Sequence, residues 1–380
     1  MQKAVQNNIN SMSFPQSARG GASGILLQKK ERFRTSRNDR VRLAYVVILL
    51  TLCTLLFAVC PVHAEQKDVK EIIAVFPFEN FSEDKNAAAI VMPAVKLRLE
   101  AKGFEVMDEE KLNNFLLRER IRSTGYVSRE IAGGLGEELN VKAVLVGSVN
   151  SFFAGDEPRI GLSARLVSCS DGSILWADHA SASGDDFTTI LGLGRVTAMD
   201  KLSSSAVDQL LGSFRTAPPD KEIESTYRIA VMPFQNSSKV KDAGLIATYL
   251  FIVELFKSKK FIPVEYGEVR RLVVDLRVRE KGELDFRRTE KISESSGVDG
   301  ILVGTVDVYK EKEGTAPPEA EISARLIDAR KDKILWSDSF ESRGDSDIVM
   351  LDWGRINTAE NVAYKVVSKL LKRMDKARWN

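Results

Sequence analysis

The sequence predicts an α/β protein: two tandem α/β sandwich domains, each a mixed, mostly antiparallel five-stranded sheet packed by helices. Three observations carry this. Residues 163–178 read SARLVSCSDGSILWAD, and residues 323–338 read SARLIDARKDKILWSD, one strand–turn–strand phrase repeated 160 residues later. A short apolar run broken by proline, IIAVFPF at 72–78, returns as RIAVMPF at 228–234. Each repeat later enters a strand of the same type, AVLVGSV at 143–149 and GILVGTV at 300–306. A chain of 380 residues has room for two ordinary domains.

Each repeat reads in the same order. The first apolar run is continuous, as suits a strand covered on both faces. A helix follows, Ala87 to Ala101 with a stop at Gly103, and in the second repeat Ala243 to Lys257. In that second helix Leu245, Tyr249, Ile252 and Leu255/Phe256 are spaced for one buried face. Short strands come next, Phe104–Met107 and Phe261–Val264. Asp108 is placed to cap a helix running to about 118–120, and Ser128 one running through Leu139. Their counterparts are Glu268–Val278 and Thr289–Ser295. Three strands and a closing helix complete each unit, the last helices being Ala198–Leu211 and Ala359–Leu371. The boundaries are therefore 65–214 for the first domain, 215–226 for a polar linker with two prolines, and 227–380 for the second.

The repeated hairpin also supplies the candidate surface. Counting outward from a turn centred between Ser170 and Asp171 pairs Arg165 with Trp176, and Arg325 with Trp336. Asp178 and Asp338 then share the face of their tryptophans, while Leu162, Ala164, Leu166 and Leu175 point to the helices. Arginine over an indole is worth on the order of 0.5–1 kcal/mol when exposed. Such a ladder either stabilises the sheet or receives a partner protein, since Trp and Arg are frequent interface anchors. Arg165, Trp176, Asp178, Arg325, Trp336 and Asp338 are the candidate interaction face, with sheet stabilisation the favoured reading.

Little in the sequence points to chemistry. Beyond residue 64 the chain has one histidine, His179, and one cysteine, Cys169. No Cys/His metal site can be assembled from them, and no triad forms around His179, whose counterpart is Ser339. GGLGEEL at 133–139 lacks the Lys-Ser/Thr of a phosphate loop, so helix packing is the expectation. GLGR at 192–195 becomes DWGR at 352–355 and is no dinucleotide fingerprint. Gly194-Arg195 and Gly354-Arg355 read as the packed entry to the last helix. Catalytic residues, cofactors and metals are all expected to be absent.

The amino terminus carries an export signal. Residues 1–64 hold nine Lys/Arg against two Asp/Glu, which leaves 46 basic and 51 acidic residues for the rest. A mildly acidic body argues against nucleic acid as a partner. Residues 1–42 are expected to be a disordered basic leader, and Leu43 to Cys60 is an uncharged apolar run. Val62-His63-Ala64 then offers a cleavage site after Ala64. An uncleaved anchor and lipidation at Cys60 remain alternatives, although Val59 suits lipidation poorly.

Taken together, AVxPFxN, A[VI]LVG[ST]V, SARL[VI]D and [IL]LW[AS]D, in this order and in both repeats, resemble one envelope-protein superfamily. It contains the amino-terminal domain of TolB, the curli-secretion protein CsgG and the synthase activator LpoB. The resemblance implies a periplasmic or outer-membrane setting and protein–protein roles without catalysis. The segments Phe153–Pro158 and Tyr309–Ala320 are too short and polar for membrane-crossing hairpins, so pore formation is not expected. The expected function is that of an exported, non-enzymatic adaptor or assembly factor whose partners are envelope proteins. A ligand-binding protein using the cleft between the repeats is the alternative.

Overall fold

The computed structural model describes residues 44–46, 48, 71–187, 194–217, 227–275, 292, 294, 297–331, 333–348 and 354–377. The expected leader, cleavage site and most of the linker lie outside these residues, as does most of the helix expected over 289–295. Among the described residues no helix is long and apolar enough to cross a membrane. Residues 69–380 form one compact unit holding both repeats.

The first repeat runs β1 (Ile72–Val75), β2 (Glu79–Asn80), α1 (Ala87–Ala101), β3 (Glu105–Val106), α2 (Glu109–Arg118), α3 (Arg129–Leu139), β4 (Ala143–Phe153), β5 (Arg159–Ser168), β6 (Ile174–Ser183) and α4 (Met199–Leu210). Its strands lie in the order β3-β1-β4-β5-β6, with the two-residue β2 pairing β4. β1 is parallel to β3 and β4, whereas β4, β5 and β6 form an antiparallel meander. The second repeat follows the same plan: β7 (Tyr227–Val231), β8 (Gln235–Asn236), α5 (Ala243–Lys257), β9 (Phe261–Pro263), α6 (Tyr266–Asp275), β10 (Gly300–Lys310), β11 (Glu319–Asp328), β12 (Ile334–Arg343) and α7 (Ala359–Lys376).

Local chemistry sets the helix ends. The Asp108 carboxylate accepts from the Lys111 amide at 3.0 Å and the Ser128 hydroxyl from Ile131 at 3.3 Å, so both expected caps form. Gly134 and Gly136 lie within α3, where a Cβ at 136 would come within 2.9 Å of the Cys169 Cβ. The glycine run is thus a packing surface, as its sequence suggested. Gly194 and Gly354 both adopt φ near +92°, a left-handed turn that costs glycine little.

The sheet of the first repeat is covered on both faces. Leu145, Leu162, Leu166 and Trp176 pack against Val91, Val95 and Leu99 of α1 and Leu202, Ala206 and Leu210 of α4. On the opposite face Ala74, Phe76, Val144 and Val146 meet Leu112 and Phe115 of α2 and Leu135 of α3. The rest of that second face, toward β6, is closed by the second repeat. Ile174 and Ala177 belong to the core that contains α5.

That arrangement corrects the expectation for α5. Eleven of its fifteen residues are buried, including Ile246, Tyr249, Leu250, Ile252 and Val253, which no single stripe can contain. A helix apolar all round must be covered all round. α5 lies between its own sheet and the outer face of the first repeat's sheet.

Candidate interaction surface

The hairpin registers differ from simple counting by one residue. Trp176 lies opposite Leu166 and Arg165 opposite Ala177, because a bulge interrupts β5–β6 between Leu166 and Val167. In the second repeat Trp336 likewise lies opposite Leu326 and Arg325 opposite Ser337. A slip of one residue sends a side chain to the other face of the sheet. The expected Arg165–Trp176 and Arg325–Trp336 ladders therefore do not form: each arginine sits on the face opposite its tryptophan.

Trp176 is 1% exposed and faces α4. Its indole NH donates to the Ser213 hydroxyl at 2.9 Å, which donates to Asp178 at 2.6 Å, and its ring packs edge-on against Phe214. Trp336 and Asp338 hold the matching places in the second repeat. Asp338 accepts from Arg373 at 3.0 Å, and the Arg373 guanidinium lies over Phe340. The Trp–Asp pairs thus stabilise the closing helices of their own repeats.

The two arginines differ. Arg165 is fully buried, where its Nε and Nη2 donate to the two carboxylate oxygens of Glu265 at 2.8 and 3.1 Å. Nη2 also donates to the Gly125 carbonyl at 2.7 Å, and the guanidinium lies 4.3 Å from the Tyr249 ring centroid. Tyr249 and Tyr266 of the second repeat stack edgewise, and Tyr126 of the first stacks edgewise on Tyr266. Arg325 is exposed, with no ion pair or hydrogen bond among the described residues.

Around Arg165 the seam between the repeats continues in both directions. Lys257 at the end of α5 bonds Asp178 at 2.7 Å and the Tyr364 hydroxyl at 3.1 Å, while Tyr364 donates to Glu254. His179 stacks on Tyr364, and burial with the nearby Lys257 pulls its pKa down to about 4, so it stays neutral. At the start of α7, Glu360 accepts from Asn150 Nδ2 at 2.8 Å. Ser181 and Thr358 share a hydrogen bond, and Asn361 donates to the Ser181 carbonyl. Burial, reinforced by Glu311, pushes the Glu360 carboxyl up to about 8. The chemistry-bearing groups of this region hold the two repeats together.

Sequence reasoning missed Glu265, Asn150 and Glu360. Comparison of the repeats does not mark them, because they act across the seam and their counterparts Asp108, Asp307 and Asp200 are different residue types. The signal that pointed there was the composition of α5. It is apolar on every face, whereas α1 keeps Lys96, Arg98 and Glu100.

A cleft of about 1100 Å³ opens beside α3, walled by Arg129, Glu130, Lys142, Cys169, Glu268 and Arg271. Lys142 pairs with Glu71 at 2.8 Å, and Arg271 with Glu268 at 3.3 Å and Glu130 at 4.0 Å. The Cys169 thiol is buried and pushed up to about 12, which leaves it protonated and unreactive at neutral pH. Among the described residues no cluster of His, Cys, Asp and Glu suited to a metal occurs.

No family model matches the chain, and no curated protein does. Solved structures do. The lipoprotein GNA1162 from Neisseria meningitidis is 22% identical, covering 38% of this chain and 99% of its own, with a TM-score of 0.28. The LpoB C-terminal domain from Escherichia coli is 17% identical, over 30% of this chain and 82% of its own, with a TM-score of 0.24. TolB from Acinetobacter baumannii is 14% identical, over 42% of this chain and 31% of its own, with a TM-score of 0.24.

Proposed function

We propose that this chain is an exported, non-enzymatic cell-envelope protein, an adaptor or assembly factor that works through protein–protein contacts in the periplasm or at the outer membrane. One observation carries the reading. The β5–β6 part of the outer sheet face that α5 covers in the first repeat has an exposed counterpart on β11–β12 in the second. Ile174 is 8% exposed under α5, and its counterpart Ile334 is 48% exposed. Arg165 is buried against Glu265, and its counterpart Arg325 is free of ion pairs among the described residues. An exposed apolar residue beside an unpaired arginine has the composition of an interface anchor.

Two further observations support it. The buried titratable groups Arg165, His179, Glu265 and Glu360 face protein partners in the seam, which leaves them no substrate to act on. The basic stretch from Lys29 to Arg42, the apolar run from Leu43 and the small-residue end at Ala64 form an export signal. Crosslinking of intact envelopes, mass spectrometry and amino-terminal sequencing test the reading together. The expected result is crosslinks from the β10–β12 face to an envelope protein, on a chain that begins at Glu65. Recovery as a free periplasmic protein without crosslinked partners would overturn it.

A further inference from the structure

The seam between the repeats is asymmetric, and each of its two sides recurs unmatched elsewhere in the chain. One side is the β5–β6 part of the outer face of the first repeat's sheet, with Arg165, Ile174 and Ala177. Its equivalent in the second repeat is Arg325, Ile334 and Ser337 on β11 and β12, all of them exposed. The other side is α5 with the acidic residue just before α6. Its equivalent in the first repeat is α1 with the acidic residue just before α2.

The α1 side has the composition a seam requires. Ile246, Tyr249 and Val253 of α5 correspond by position to Ile90, Pro93 and Leu97 of α1. Ile90 is 43% exposed and Leu97 63% exposed, with Pro93 and Ala89 also in the open. Val91, Val95 and Leu99 already fill the face toward α1's own sheet, so among the described residues this outer apolar stripe has no cover. The charges match as well. Glu265, which holds Arg165, immediately precedes α6, and its counterpart Asp108 immediately precedes α2 and is exposed.

We propose that the chain associates head to tail with copies of itself. The outer stripe of α1 in one copy seats on the open β10–β12 face of the next, repeating the seam within each chain. This deepens and rests on the adaptor reading, since it names the first occupant of the open face as a second copy. Leu97 and Ile90 cover Ile334 on the exposed β11–β12 part of that face, and Asp108 of the second copy pairs with Arg325. A heterologous contact of this kind leaves a free face at each end of a dimer, so it continues into rings or filaments. One position is mismatched. The Asn150–Glu360 hydrogen bond becomes Asp307 against Asp200, two carboxylates, so the intermolecular contact is weaker than the seam.

Sedimentation of the full chain over a concentration series tests this. The parent is expected to show species larger than a monomer that dissociate on dilution. Leu97→Glu and Arg325→Glu, both at exposed positions, should each give a monomer with the parent's circular dichroism. Mixing these two variants is the decisive measurement. Each retains the half that the other lacks, so a 1:1 dimer should form and grow no further. Asp307→Asn restores the residue used in the seam and should tighten association roughly threefold or more, as removing a like-charge surface pair does. A parent monomeric at every concentration, variants that leave the oligomer intact, or a mixture that stays monomeric would overturn the proposal. A monomeric chain crosslinked to another envelope protein at the Arg325 face would overturn self-association alone and leave the adaptor reading standing.

Discussion

Arg165 and Arg325 occupy the same position in two equivalent sheets, yet one is sealed in a bidentate ion pair with Glu265 and the other is exposed. The difference lies in what covers the sheet. The second repeat places α5 and the residue before α6 on the first, and nothing among the described residues does the same for the second. Duplication has produced one closed seam and one open copy of the same face.

The closed pair yields the first prediction. Both partners are within 1% of full burial, so removing one leaves a charge stranded in a low-dielectric seam. Arg165→Met should cost about 3–5 kcal/mol in urea unfolding, and Glu265→Leu a similar amount. The double variant should recover most of that loss, because an apolar pair of similar volume incurs no desolvation penalty. A double variant no more stable than either single one would show that the pair does more than neutralise itself.

Glu360 predicts how stability depends on pH. Its folded carboxyl titrates at about 8 against an ordinary 4.5, because it is buried near Glu311 and Tyr309 with one donor, Asn150. Between those values the folded state holds a proton that the unfolded state has released, so stability falls as pH rises. Glu311, raised by burial, acts in the same sense. His179 acts oppositely: its folded pKa of about 4 lies below 6.5, so its contribution falls as pH drops through that interval. The two effects oppose each other below about pH 6.5. From 6.5 to 8 His179 no longer offsets the loss due to Glu360, and melting temperature should decline. Glu360→Gln, which keeps the acceptor for Asn150, should flatten that decline and be the more stable protein at pH 8.

Cys169 gives a chemical readout of α3 packing. The thiol is 7% exposed beneath Gly133 and Gly136, and burial holds it protonated. A thiol reagent at pH 8 should label the native chain only as fast as this region opens, and promptly in denaturant. Gly136→Val, which forces atoms into a 2.9 Å gap, should accelerate labelling well before it unfolds the protein. Equal labelling rates in the native parent and in denaturant would contradict the packing described here.

Features set by neighbours in the sequence are legible in it, and features set across the seam are not. The caps at Asp108 and Ser128, the antiparallel meander of each repeat's last three strands and the packing role of GGLGEEL follow from short-range rules, and each appears in the structure. The hairpin register did not follow, because one extra residue at Leu175 forms a bulge that no composition rule announces. That slip moved Arg165 from an expected exposed ladder to the seam. Glu265 and Glu360 were invisible for a different reason. Their partners lie 100 and 210 residues away, and the contacts exist only once two folded repeats meet.

The tryptophans separate scaffold from surface. Trp176 fills the space between β6, α4 and Phe214 at 1% exposure, and its NH feeds the Ser213–Asp178 chain. Trp176→Ala should cost about 3–5 kcal/mol, the range for emptying a large core site. Trp336 is half-buried and faces α7, so Trp336→Ala forfeits only part of that burial and should cost about 1–2 kcal/mol. Neither ring lies on the open face, because the register puts each opposite a core leucine and back-to-back with its arginine. Trp336→Ala should therefore leave envelope crosslinking at the β10–β12 face unchanged, while Arg325→Glu abolishes it without loss of stability. If instead Trp336→Ala removed the crosslinks from a fully folded chain, the docking surface would lie on the helix-facing side of β12, and the open face would be ordinary solvated sheet.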